Sequence, residues 1–390
     1  MPITLPELPP ELLISISTNL TIYKDYIQFR AISSTLRSTL PSTPTHLPCQ
    51  LPWLLLPLTQ PTCTLRAFFN LSNHTFHRLE LPQIRRKRCC GSSLGWLALV
   101  EQDDPGIILL NPITTTLFYL PVVTTFPKVI SFNVYKLGKE YLLRDYVSGG
   151  SYSRDLKSMS MFIKKIALSK SPLDDHFIAV VILNESGELG YCKKGEVKWS
   201  MIDQVRMFSE DVVYYDGLFY AVNKKGDVAV FDLGGDSPVV RVILNPEGLM
   251  TRGDVYYLVV TDGEIFVVTR HLDLVGDIEP DLIYMTVGFD VVKLAVGELN
   301  WTPVRSLGDR MFFLGGNSSV CLLASDFQGC EGNCIYFTDD YTEGNDDGAR
   351  GNHDVGVFKL EDRDIELLPC WSSHSRMIWP PHIWVTPSPC

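Results

Sequence analysis

The chain has 390 residues, 45% of them hydrophobic and 20% charged, which suits a folded protein of one large domain plus a small one, or of two to three domains. A formal net charge of −11 and a pI near 5.2 argue against phosphate-backbone binding, which needs clustered Lys and Arg, so no nucleic-acid partner is expected. The apolar runs, such as Trp53 to Leu56, are far shorter than the roughly 20 residues that span a bilayer, and prolines interrupt the N-terminus where a secretory signal needs a continuous apolar stretch, so neither membrane nor secretion is expected.

The first pattern is LPELPPELLISISTNL (5 to 20). Prolines set φ, a glutamate follows, and Leu12, Leu13, Ile16 and Leu20 recur at the spacing of one helical face. The second, KDYIQFRAISSTLRSTL (24 to 40), puts Ile27, Ala31 or Ile32, Leu36 and Leu40 on a shared stripe until Pro41 and Pro44 end it. Segment 41 to 64 carries six prolines among Ser, Thr and Leu and reads as a stiff connector. The expected division is therefore a helical unit at 1–40, a connector at 41–64 and a β domain at 65–390.

Beyond residue 65 the chain alternates short Val/Ile/Phe/Tyr-rich strands with Gly, Asp, Asn and Pro. Examples are GWLALV (95 to 100), GIILLNP (106 to 112), FIAVVIL (177 to 183), GDVAVFDL (226 to 233) and CIYFTDD (334 to 340). YDGLFYAV (215 to 222) and TDGEIFVV (261 to 268) are near copies of one Asp-Gly hairpin, 46 residues apart, the period of a four-stranded propeller blade. KGEVKWSMI (194 to 202) and VGELNWTPV (296 to 304) place Gly, an acidic residue and then Trp in the same order, as for an outer strand whose indole covers the neighbouring blade. The fold class expected is mainly β: a small α-helical N-terminal unit followed by a propeller of six to eight blades, seven slightly favoured, with a pair of β-sandwiches as the alternative.

Ten cysteines scattered without scaffold spacing read as reduced thiols of cytosol or nucleus. Cys330 and Cys334, with His353 further on, do not complete a zinc set, and no cofactor or metal is expected. RRKR (85 to 88) reads as a solvated loop between strands, with nuclear import as the alternative. RDYVSGGSYSRDLKS (144 to 158) reads as a long exposed loop. EGNDDGARGNHD (343 to 354) reads as an acidic loop, because it lacks the glutamate that closes a calcium-binding EF-hand loop. The eight histidines have no paired spacing and no glycine-rich phosphate loop precedes a helix, so catalysis is not expected.

The two N-terminal patterns together resemble an F-box. Leu8, Pro9, Leu12, Leu13, Ile16 and Leu20 fit its first half, and Arg30, Ile32 and Arg37 fit its second, while Ser33 stands where Cys is common and Leu36 where Trp is common. CCGSSLGWLALV (89 to 100), LLNPITTTLFYLP (109 to 121), SLGDRMFFLGGNSS (306 to 319), VGVFKLEDRDIELLPC (355 to 370) and PPHIWVTPS (380 to 388) continue the likeness to a plant family that joins an F-box to a C-terminal kelch-like β-propeller. The resemblance implies a non-catalytic substrate receptor of a Skp-cullin-F-box ubiquitin ligase, working in cytoplasm or nucleus. Leu8, Pro9, Leu12, Leu13, Ile16, Leu20, Ile32, Leu36 and Arg37 would contact the Skp-family adaptor, through it a cullin, and the propeller would hold an unidentified protein target. A helical hairpin too small to bury its own apolar face fits such a docking role. Three alternatives stand beside it: helices that merely cap the propeller, an F-box used outside the ligase, and a propeller enzyme or small-molecule sensor, which would need a deep polar pocket on the axis.

Overall fold

In a computed structural model, the residues described are 8–42, 44–57, 63–101, 104–133, 135, 140–145, 149–155, 159, 161–184, 187–246, 249, 252–275, 283–295, 300–340, 354–368 and 382–388. The N-terminal unit has three helices, α1 (Pro10–Thr18), α2 (Tyr23–Ala31) and α3 (Ser34–Thr39). The single helix expected over 24–40 is thus broken in two. Ser33 adopts extended backbone (φ −149°) and its hydroxyl accepts the Leu36 N–H at 3.1 Å, capping a new helix instead of continuing the old one.

The rest is β. Blade 1 begins with β1 (Trp53–Leu55), β2 (Leu65–Asn70) and β3 (Thr75–Glu80); blade 2 is β4 (Lys87–Ser93), β5 (Trp96–Glu101), β6 (Ile107–Leu110) and β7 (Leu117–Leu120). A three-stranded sheet follows, β8 (Val129–Asn133), β9 (Glu140–Arg144) and β10 (Ser151–Arg154). Blade 3 is β11 (Ile163–Leu168), β12 (Ile178–Leu183), β13 (Leu189–Lys193) and β14 (Ser200–Met201); blade 4 is β15 (Asp211–Tyr215), β16 (Leu218–Val222), β17 (Val228–Asp232) and β18 (Val239–Ile243). Blade 5 is β19 (Val255–Thr261), β20 (Glu264–Val275), β21 (Ile283–Ala295) and β22 (Thr302–Pro303). Blade 6 has five strands, β23 (Arg310–Gly315), β24 (Ser318–Leu323), β25 (Cys334–Phe337), β26 (Gly356–Lys359) and β27 (Asp364–Leu367), with β24 innermost. Finally β28 (Ile383–Val385) pairs antiparallel with β1, Leu54 opposite Trp384, and closes the ring.

Seven sheets are described, but β4 and β11 lie side by side, so the β8–β10 sheet stands outside the ring. The ring therefore has six blades, with β28, β4, β11, β15, β19 and β24 around the axis. The sandwich alternative is excluded by this closure.

Both Asp-Gly turns are found as read. Asp216 (φ 45°) and Gly217 (φ 87°), like Asp262 (φ 51°) and Gly263 (φ 72°), have the paired positive φ of a type I′ turn, and they join the inner two strands of blades 4 and 5. The Asp262 N–H donates to the Tyr215 hydroxyl at 3.0 Å, tying one turn to its copy. The tryptophans also repeat. Trp199 Nε1 donates to the Pro121 carbonyl (2.8 Å) and Trp301 Nε1 to the Leu244 carbonyl (3.1 Å), in each case just past the outermost strand of the preceding blade. Trp199 also stacks on Phe126, 4.9 Å between centroids.

Three expectations are corrected. Residues Leu51 to Leu55 are buried and β1 belongs to blade 1, so the propeller starts inside the segment read as connector; Trp53 and its leucines earn a place in the core that proline content concealed. Ser151–Arg154 is a strand paired with Glu140–Arg144 rather than loop. RRKR is only half solvated: Arg85 and Arg86 are exposed, whereas Lys87 and Arg88 belong to β4, Lys87 3.0 Å from Glu101 and Arg88 buried with its guanidinium donating to the Ile163 carbonyl. His353 and nearly all of the acidic stretch at 343–354 lie outside the described residues.

Candidate functional site

Two surfaces come forward. The first is the helical unit, whose own core is Leu13, Tyr26, Leu36 and Leu40, with Leu8, Leu20, Ile27, Phe29 and Leu47 packed around it. Of the nine residues read as adaptor contacts, Leu13 and Leu36 are thus fully buried within the unit, and Leu8 and Leu20 are half-buried. Pro9, Leu12, Ile16, Ile32 and Arg37 are exposed, Leu12 to 51% and Ile32 to 61%. Ile14, which the spacing argument passed over, is exposed as well. Helix α1 is one-and-a-half-sided: Leu13 and Ser17 face the core while Leu12, Ile14 and Ile16 face outward, an apolar surplus that a solvated helix does not need. Tyr23 and Tyr26, spaced three apart, supply the buried face of α2, and the Tyr26 hydroxyl donates to the Pro41 carbonyl at 2.8 Å.

The burial of Leu36 moves the consequence of its identity from docking to packing. Leu36→Trp should overpack this small core and cost ~1–3 kcal/mol. A drop in melting temperature with no strengthening of adaptor binding is the expected outcome, to be read by thermal unfolding and titration.

The unit is attached to blade 1. Gln50 Nε2 donates to the Thr21 carbonyl at 2.8 Å, and Lys24 Nζ lies 3.5 Å from Nδ1 of His77, whose ring stacks on Trp53. Burial and the Lys24 ammonium both hold His77 below the usual imidazole range. These contacts use other residues than Leu12, Ile16 and Ile32, so attachment leaves the apolar face open.

The second surface is the mouth of the axis, to which every blade contributes: His382 from the start of β28, Arg88, Lys164 and Lys165, Glu210 and Asp211, Tyr256 and Tyr257, and from blade 6 Asn317, Asp339 and Asp340. Blade-to-blade ion pairs line it. Lys165 pairs with Asp211 and Lys164 with Glu210 at 3.2 Å. Asp211 also accepts the N–H groups of Val212 (2.7 Å) and Leu258 (2.9 Å) and the Ser319 hydroxyl (2.6 Å), joining blades 3, 4, 5 and 6 through one carboxylate.

Between blades 5 and 6, Arg270 is fully buried and donates to Asp340 (2.7 Å), Asp354 (2.8 Å), the Tyr257 hydroxyl (3.1 Å) and the Thr338 carbonyl (2.8 Å). Burial disfavours its charge, but Tyr257, Asp340 and Asp354 outweigh that and raise it above the ordinary guanidinium range. Asp339, next to this group, accepts from the Tyr284 hydroxyl. Burial pushes the carboxyls of Asp339 and Asp340 each up to about 6, against the opposing pull of Tyr284 on the first and Arg270 on the second. No group of three or more metal-ligating side chains is found among the described residues. Sequence reading missed this mouth because its members are spread over some three hundred positions and meet only once the ring closes.

A helical unit joined to a closed six-bladed ring defines a propeller protein of a two-part type. The chain belongs to the KIB1-4 beta-propeller family, whose model matches residues 68–359. It is similar over nearly its whole length to F-box protein SKIP23 of Arabidopsis thaliana, 29% identical across 97% of this chain and 95% of that protein. F-box protein At2g17036 (26%, covering 98% and 94%) and putative F-box protein At5g55150 (26%, covering 74% and 72%), both of Arabidopsis thaliana, are further relatives. The likeness to plant proteins that join an F-box to a C-terminal propeller, read from the sequence, is thereby upheld, and the family is the KIB1-4 propeller.

Proposed function

We propose that this chain is a non-catalytic substrate receptor of a Skp-cullin-F-box ubiquitin ligase, its helical unit docking a Skp-family adaptor and its propeller holding a protein target. The observation that carries the reading is the outward apolar set Leu12, Ile14, Ile16 and Ile32, left uncovered by a unit that already has its own core and its own attachment to blade 1. Burying such side chains against a partner is worth roughly 1.5–3 kcal/mol each. Full-length relatives that bear the F-box name support the same assignment. The cullin is reached through the adaptor, and the target through loops at the ends of the blades. The compartments where such a ligase works, cytoplasm and nucleus, suit free thiols: the eight described cysteines are unpaired. No helix among the described residues is long and apolar enough to cross a membrane.

The test is co-purification with a Skp-family adaptor. Leu12→Asp combined with Ile16→Asp should abolish it, since two carboxylates would have to be desolvated at the interface, while both positions are exposed enough that folding is preserved. Undiminished binding by a folded double variant would refute the interface.

A small-molecule sensor is the reading that an axial polar pocket favours, and charged side chains do stand among the mostly apolar walls of the mouth. It encloses only about 90 Å³, however. That is below the roughly 150 Å³ of a cavity that takes up benzene and far below a drug-sized site of about 300–1,000 Å³.

A further inference from the structure

The small size of the axial mouth, which disfavours a cofactor, suits the end of one side chain. Its walls carry apolar surface from Met161, Val255 and Tyr256 beside the charged groups. Those charges are unevenly spent. On blade 3, Lys164 and Lys165 are neutralised by Glu210 and Asp211 of blade 4. Between blades 5 and 6, the single guanidinium of Arg270 is shared by Asp340 and Asp354. Asp339, only 7% exposed, has the neutral Tyr284 hydroxyl as its side-chain donor and no ion-pair partner among the described residues. A buried carboxylate in that position gains most from a cation brought in from outside.

We propose that the mouth receives the side chain of one lysine or arginine of the recruited protein, its aliphatic stem against Met161, Val255 and Tyr256 and its charged head at Asp339. Long basic side chains suit such a site, because the stem buries apolar area while the head keeps its charge satisfied. The pairing supplies a specificity that blade edges lack: an acidic or purely aliphatic side chain would leave Asp339 repelled or unpaired. This inference rests on the reading of the chain as a receptor, and adds which chemistry the receptor selects.

The test titrates the full chain with N-acetyl-arginine methylamide and N-acetyl-lysine methylamide, following melting temperature and binding heat. The norleucine and glutamate counterparts serve as comparisons. The cationic probes should raise the melting temperature and the other two should not. Asp339→Asn, which keeps an acceptor for Tyr284, should weaken the cationic probes tenfold or more. Should that variant fail to fold, Val255→Trp, which fills the mouth from a half-buried wall position, should abolish probe binding instead. Affinity should also fall as the pH drops through about 6, where Asp339 and Asp340 take up protons beside Arg270, Asp354, Tyr257 and Tyr284, with Arg88, Lys164 and His382 lining the same mouth. Absence of binding by the wild-type chain, equal binding of the norleucine probe, or unchanged affinity in folded Asp339→Asn would each overturn the proposal. Adaptor co-purification, run on the same samples, separates the two levels: adaptor binding without cation binding refutes the pocket and spares the receptor reading, and the converse refutes the receptor reading.

Discussion

A chain cut after residue 381 should not hold a folded propeller, and this is the largest effect expected of any single change. The deletion removes β28, and with it the pairing of Trp53 with Val385, Leu54 with Trp384 and Leu55 with Ile383 that closes the ring. Ile383, Trp384 and Val385 are all buried, at roughly 1.5–3 kcal/mol each. Trp384 also serves as a joint between blades: its indole N–H donates to the Leu314 carbonyl at 3.1 Å, its carbonyl accepts Asn317 Nδ2 at 2.6 Å, and its ring meets Phe313 edge-on at 5.2 Å. Loss of the strand would leave β1 as an unpaired edge beside an open core, a cost comparable to a domain's whole stability of roughly 5–15 kcal/mol. Circular dichroism and solubility of the truncated chain check this; a cooperative transition at the wild-type temperature would contradict the closure. Trp384→Ala is the milder form, with ~3–5 kcal/mol expected from the lost burial and the cavity together.

Asp211→Ala is the second. Its carboxylate takes the Lys165 ammonium, two backbone N–H groups and the Ser319 hydroxyl, and is 1% exposed. Truncation would strand a buried ammonium and two buried amides where water cannot reach them, so a loss of ~3–5 kcal/mol is expected. The companion Lys165→Met should recover part of the deficit in the double variant, because removing both charges takes away the unpaired ion rather than adding a second fault. Denaturant melts of the two single variants and the double variant measure this; strictly additive losses would show that the pair is not coupled.

What could be read from the residues followed local chemistry. The Asp-Gly turns required positive φ at both central positions and have it, and the repeated Gly, acidic, Trp order marked indoles that do reach the preceding blade. The blade number was less legible, because the β8–β10 sheet has strand composition like any blade yet lies outside the ring that β4 and β11 form together. β1 was hidden by prolines on either side of Trp53, since a strand of three residues carries no alternation to detect. At the N-terminus, spacing found α1 but could not separate its two apolar faces: Leu12 and Leu13 are neighbours in sequence, one exposed and one buried. Leu36, read as a docking residue, is buried in the unit's own core, on the helix that the Ser33 cap starts. The axial mouth was beyond any linear pattern, since Lys165, Asp211, Leu258 and Ser319 have no relation in sequence until four blades meet.

The proposed adaptor surface is Leu12, Ile14 and Ile16 on α1 together with Ile32 at the end of α2. Hydrogen exchange of the intact chain, with and without a Skp-family adaptor, tests it most directly. New protection is expected in Pro10–Thr18 and around Ile32, with the propeller strands unchanged. Protection confined to the axial face, or none in the helical unit at saturating adaptor, would contradict it.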